Sequence, residues 1–143
     1  MDPPAPILRR GTVDDAIQVA HHNIAMAKET ESLDLDEETC LEGCRAILGD
    51  ETKGFYTVAV EDGLVVGQLM ITFEWSDWRN RTTWWIQSVY VVPDRRGRGI
   101  FKALYGHVRG LCAARGGAGL RLYADDSNAK AQAVYGKLGM VRC

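Results

Sequence analysis

The sequence predicts a single α/β domain, residues 1–143, built on a mixed and mostly antiparallel central sheet flanked by helices. Three observations predict it. Residues 55–92 carry short β-branched and aromatic runs separated by turn signals. Apolar residues then return at helical spacing from Gly99 onward. The element order is strand, helices, a meander of strands, helix, strand, helix, which packs as layers around a sheet. A chain of 143 residues, 46% apolar and 25% charged, can bury a core without disulfides.

The elements follow in order. Ile7-Leu8-Arg9 is a short strand. Thr12, Asp14 and Asp15 open a helix, because oxygen caps and carboxylates satisfy the exposed N–H groups there. Val13, Ile17, Ala20 and Ile24 continue it as an apolar stripe. Glu37 to Leu48 forms a second helix, stopped by Gly49-Asp50. Phe55–Val60 and Leu64–Phe73 are strands joined by the hairpin signal Glu61-Asp62-Gly63. Asp77–Thr82 reads as a polar loop. Trp84–Val92 is apolar on both faces, with Trp85, Val89 and Val91 set against Ile86, Tyr90 and Val92, so it belongs inside the sheet. Phe101, Leu104, Tyr105, Val108, Leu111 and Cys112 make the stripe of a long helix that ends at Arg115-Gly116-Gly117. Leu120–Ala124 is a further strand, and Ser127 or Asn128 caps a last helix closed by Gly139.

Charge is unevenly spread. Residues 1–78 hold 16 acidic and 5 basic side chains, whereas residues 79–143 hold 12 basic and 3 acidic ones. A basic half suits a phosphate-bearing ligand and an acidic half a cationic one, although a dipolar surface needs neither. A nucleic-acid role for the Arg79–Arg121 strip lacks any reader motif and meets a net charge of −2. No apolar run reaches the ~18 residues of a membrane span. Met1-Asp2-Pro3-Pro4 lacks the basic flank of a signal peptide, and four cysteines lack the density of a secreted scaffold, so the expectation is a cytoplasmic protein.

The segment with chemistry in it is Val89-Tyr90-Val91-Val92-Pro93-Asp94-Arg95-Arg96-Gly97-Arg98-Gly99-Ile100-Phe101. A strand runs into an Arg/Gly loop that opens directly into a helix. Helix N-terminal N–H groups are unpaired, and the macrodipole adds positive charge there. Gly97 and Gly99 remove side chains from the approach, which makes the loop a cradle for a pyrophosphate. It lacks the spacing of a P-loop and, with Lys102 in place of a third glycine, that of a dinucleotide fingerprint.

Arg96-Gly97-Arg98-Gly99 after Ser88–Pro93 resembles the acetyl-CoA motif of the GCN5-related N-acetyltransferases, the GNAT superfamily, Gln/Arg-x-x-Gly-x-Gly/Ala, with Phe101 in place of the final small residue. Asn128–Met140 is similar to the same family's Asn…Ala…Tyr…Leu-Gly-Phe helix. The resemblance implies a GNAT-like domain that moves an acetyl group from acetyl-CoA, by direct attack, to a primary amine of a small molecule or peptide. It implies that the strand Val89, Tyr90, Val91 splays to pair with the pantetheine arm, with an N–H near Val89 or Tyr90 on the thioester oxygen. The N–H groups of Gly97, Arg98, Gly99, Ile100 and Phe101 then take the pyrophosphate, with Arg96 and Arg98 as side-chain partners. Asn128 is a ligand of the cofactor's amide arm, a helix cap, or both. Tyr135 matches the family's general acid, against the plainer role of a core aromatic. Family members usually continue past this point into one or two more strands, so a chain stopping at Cys143 is expected to be cut, open, or completed by another subunit.

The general base is not marked by the motif. Gln87 stands where some family members carry Glu, and among Glu74, Asp77, Glu29 and Glu31 the first choice is Glu74. Trp75, Trp78, Trp84 and Trp85 either line an amine pocket, bury a homodimer interface, or pack across strands. His21-His22 and Cys40…Cys44 lack a second cluster at ligand spacing, so no metal is expected. The competing reading is an inactive CoA-binding module acting as a sensor or partner domain.

Overall fold

The computed structural model describes residues 5–123, 133 and 135–140. Five strands, β1 (Ile7–Arg10), β2 (Phe55–Glu61), β3 (Leu64–Ser76), β4 (Arg81–Val91) and β5 (Gly119–Leu122), lie in sequence order across one sheet. The first four pair antiparallel, and β5 joins β4 in parallel after a crossover through α3 (Ile100–Ala114). The sheet is therefore mixed and mostly antiparallel, as the sequence predicts.

Helices cover both faces. On one, Ile100, Leu104, Tyr105, Val108 and Cys112 of α3 pack on Phe55, Ala59, Leu69, Ile71, Trp84 and Ile86. On the other, α1 (Ala16–Glu31) and α2 (Glu37–Leu48) set Val19, Ala20, Cys44 and Ile47 against Tyr56, Val58 and Val65. Double coverage explains why β2 is buried from Phe55 to Ala59 without alternation. Gly67 lets α3 come close, since a Cβ there would stand 2.7 Å from Ile100 Cγ2.

Local chemistry sets the ends of the elements. Asp15 accepts both Arg9 guanidinium bonds, at 2.7 and 2.9 Å, and the Thr12 N–H at 2.8 Å. The Arg9 bonds hold its carboxyl below the usual range. These contacts shape a 3-10 turn, Val13–Asp15, from which α1 departs. The Asp36 carboxylate caps α2 by accepting from the Thr39 N–H at 2.9 Å. Asp62 and Gly63, with φ of 50° and 75°, form the two-residue turn that the β2–β3 hairpin signal announced.

Three expectations are corrected. The stripe Val13, Ile17, Ala20, Ile24 is not the buried face of α1, because Val13 and Ile17 are exposed while Ala16, Val19, Ala20 and Ala27 are buried. Ala20 belongs to both stripes, and helical spacing alone does not choose between two faces that share a residue. The Asp77–Thr82 loop is only the turn 77–80, and β3 and β4 run on as a ribbon through Trp75↔Thr82 and Ser76↔Arg81. A ribbon solvated on both sides keeps polar residues and so reads as loop. Finally, β4 changes face midway. Gln68 pairs with Tyr90 and Met70 with Gln87, so Ser88 and Val89 both oppose Leu69. Ser88 takes a left-handed φ of 52° in this bulge. Trp84 and Ile86 before it and Val89 and Val91 after it therefore all face α3.

Candidate active site

The β4–β5 pairing stops at Ile86–Leu122, so from Gln87 to Val91 the outer edge of β4 has no strand partner among the described residues. A cleft of about 420 Å³ opens there. Val89, Tyr90 and Val91 line one wall, Leu122, Tyr123 and Tyr135 another, and Met26, Glu29 and Thr30 of α1 a third. An unpaired strand edge offers N–H and C=O groups to an extended ligand. The bulge adds a residue there and turns the backbone, as bulges beside active sites commonly do.

Arg96 enters the same cleft from the loop that follows β4. Gly97 and Gly99 each have a φ of 80°, and a Cβ at either would meet nothing within 4 Å, so the space before them is open. Gly99 caps α3 without a side-chain bond. The first N–H to return into the helix is that of Ala103, to the Gly99 carbonyl at 3.0 Å. The N–H groups of Ile100, Phe101 and Lys102 thus have no partner within the helix. A group of oxyanions fits this cradle, which is the test that a CoA diphosphate has to pass.

The three loop arginines are not equivalent. Arg95 is turned to the β2–β3 hairpin, where it meets Glu61 at 2.7 Å and Asp94 at 2.8 Å. Arg96 donates to the Val91 carbonyl at 2.9 Å and to Glu29 at 2.8 Å, with its guanidinium over the Tyr90 ring at 5.2 Å. Arg98 is exposed and makes no ion pair among the described residues.

Tyr135 lies half-buried in helical backbone, and burial pushes its hydroxyl above the usual phenol range. Its ring meets that of Phe101 edge-on at 5.8 Å. The bulky residue where the family motif has a small one thus supports the tyrosine. Gly139, at φ 86°, ends this helix as expected, with Met140 N–H reaching the Tyr135 carbonyl and Gly139 N–H the Gly136 carbonyl. Asn128 lies outside the described residues.

Glu74 is not brought to Tyr135. It lines a separate cavity of about 380 Å³ on the β3–β4 ribbon with Trp75, Asp77, Trp78 and Arg121. The four indoles divide accordingly. Trp84 is core, edge-on to Phe55 at 5.5 Å; Trp85 stacks on Tyr123 at 4.8 Å; Trp75 and Trp78 are exposed, the latter at 95%. Among the described residues Glu29 is the one carboxylate lining the cleft.

Sequence reasoning missed the polar chain beneath the cleft. Gln68 donates to the Val19 carbonyl (3.2 Å) and to Asn23 (3.1 Å), which fixes its amide nitrogen and turns its oxygen to His22 Nδ1 at 2.8 Å. That nitrogen therefore carries the proton. The His22 ring stacks on Tyr90 at 5.3 Å, and burial lowers its pKa. Asn23 donates to the Tyr56 hydroxyl at 3.0 Å, and burial pushes that hydroxyl up to about 12. A glutamine inside an apolar strand was the available signal. Cys40 and Cys44 are free thiols on α2, and among the described residues no group of three His, Cys, Asp or Glu could hold a metal. Nor is any described helix long and apolar enough to cross a membrane.

A strand edge opened at a bulge thus leads into a bare helix N-terminus. The model of the acetyltransferase (GNAT) family matches residues 18–140. The chain belongs to the acetyltransferase (GNAT) family. It is similar to a possible acetyltransferase from Clostridium difficile 630, with 40% identity, 98% of this chain and 93% of that one covered, and a TM-score of 0.91. A predicted acetyltransferase with acetyl-CoA from Clostridium acetobutylicum shares the fold at 16% identity, with 96% and 90% covered and a TM-score of 0.78. Thialysine N-epsilon-acetyltransferase of Bos taurus is 33% identical over 75 residues, which is 52% of this chain and 44% of that relative. Membership of this family and these likenesses support acetyl transfer in general.

Proposed function

We propose that this GNAT protein carries an acetyl group from acetyl-CoA to a primary amine of a small molecule or peptide by direct attack. The observation that supports it most is that one cleft joins the open edge of β4, Arg96 and Tyr135. The thialysine relative adds, by its name, an ε-amine as acceptor for that protein.

Bound acetyl-CoA supplies an acetyl thioester. In this reading the N–H groups from Gly97 to Phe101 bind its diphosphate, with Arg98 adding charge, and the Val89–Val91 edge pairs with the pantetheine arm. An N–H near Val89 or Tyr90 faces the thioester oxygen, where negative charge grows. The amine nitrogen forms the new bond to carbon as the carbon–sulfur bond breaks, the Tyr135 hydroxyl gives its proton to the departing sulfur, and the amine's proton leaves to water. The Tyr135 hydroxyl, which burial pushes above the usual phenol range, is protonated through neutral pH, the state that a proton donor needs.

The acidic half of the chain favours a cationic acceptor. A mass-spectrometric screen with acetyl-CoA is expected to show acetylation of amino-acid derivatives or lysine peptides in preference to aromatic amines or amino-sugar phosphates. The acceptor kcat/KM is expected to fall as salt rises, because exposed charges are screened beyond about 10 Å at 0.1 M. Binding of acetyl-CoA without turnover of any amine would make the protein a CoA-binding module instead.

A further inference from the structure

We propose that Glu29 seats a second cationic group of the acceptor, so that the preferred substrates are diamines or amino-acid amines carrying two positive charges; the inference rests on the acetyl-transfer reading above. Glu29 stands on the last turn of α1, where the carbonyl end of a helix already favours cations. It is the one carboxylate lining the cleft among the described residues. Its two oxygens are placed separately, Oε1 by the Tyr90 hydroxyl at 3.1 Å and Oε2 by Arg96 at 2.8 Å.

The guanidinium of Arg96 shows what the seat accepts, a flat or compact cation lying beside the Tyr90 ring. The Arg96 bond also holds the Glu29 carboxyl below the usual range, so this group binds positive charge and makes a poor base. An ammonium held there stays protonated and cannot attack. The nitrogen that attacks is therefore a different one, and the acceptor carries two. Arg96 belongs at once to the loop that faces the diphosphate, and a guanidinium bond spent on the ligand's oxyanions is lost to Glu29. Acetyl-CoA thus draws Arg96 toward itself and frees the seat, which links the two sites reciprocally.

The test compares a diamine with the monoamine of equal chain length. The wild-type protein is expected to favour the diamine about threefold to fivefold in kcat/KM through KM, and Glu29→Gln to abolish that preference. The glutamine keeps an oxygen for the Tyr90 hydroxyl and removes only the charge. Because an ion pair this exposed contributes little, acetyl-CoA is expected to bind Glu29→Gln roughly twofold to fivefold tighter. A purely structural role would weaken both ligands. Equal use of the two amines by the wild-type protein, which needs no variant, would overturn the inference, and so would a preference that survives in Glu29→Gln. Failure of the wild-type protein to acetylate either amine while binding acetyl-CoA would instead overturn the parent reading.

Discussion

Replacing Tyr135 with phenylalanine is expected to lower kcat about a hundredfold while the acetyl-CoA KM stays near its starting value. The substitution removes the hydroxyl and keeps the ring, so the edge-on contact with Phe101 at 5.8 Å survives. What is lost is proton transfer to the departing sulfur, and a positioned general acid contributes roughly 10²- to 10⁴-fold. A donor used only during reaction changes kcat and kcat/KM together and leaves binding alone. The pH profile gives a second signature. Burial raises the Tyr135 pKa, so the protonated form is fully present through neutral pH and is lost only as pH climbs through that raised value. The wild-type kcat is expected to fall on the alkaline side for this reason, and the phenylalanine variant to lack that limb. Steady-state kinetics against pH, where chemistry limits the rate, checks both. An unchanged kcat would return Tyr135 to the rank of a packing residue.

Replacing Gly99 with valine is expected to weaken acetyl-CoA binding at least tenfold, read as Kd by calorimetry. Gly99 has a φ of 80° and stands as the cap of α3, and a β-branched residue is strained there whatever space surrounds it. Its Cβ would also occupy space that is open beside the start of α3. Losing one charge-assisted hydrogen bond costs about 1.5–3 kcal/mol, which corresponds to ten- to hundredfold in affinity. The core contacts of α3 begin with Ile100 and Leu104, so the fold is expected to persist, with the melting temperature without ligand lowered only by the cost of the strained φ. A full-strength complex with the valine variant would mean that the diphosphate lies elsewhere.

Much of this was legible because it is local. The strand, the Arg/Gly loop and the stripe from Phe101 to Cys112 are contiguous, and each obeys a period or a cap that single residues reveal. Gly139 as a helix end and Asp62-Gly63 as a turn are equally short-range. The parts that escaped depend on distant partners. Glu29 meets Arg96 across 67 positions, and His22 meets Gln68 across 46, so no window of sequence contains either pair. The bulge at Ser88 reverses the faces of β4, and its only trace is the polar pair Gln87-Ser88 in an apolar run. Glu74 follows the strand that precedes the thioester strand, but the β3–β4 ribbon carries it out to its own cavity with Trp75 and Trp78. Which arginine of the loop is turned away, and which is shared with α1, is likewise decided by Glu61 and Glu29, far upstream.

The claim on which the rest depends is that the loop from Arg96 to Phe101 holds the diphosphate of acetyl-CoA. Thermal unfolding with ligand tests it most directly, since a molecule that binds only the native state raises stability by RT ln(1 + [L]/Kd), about 2.7 kcal/mol at a hundredfold excess over Kd. Acetyl-CoA is expected to raise the melting temperature clearly, and pantetheine fragments without the pyrophosphate to raise it much less. No shift at millimolar acetyl-CoA would contradict the account.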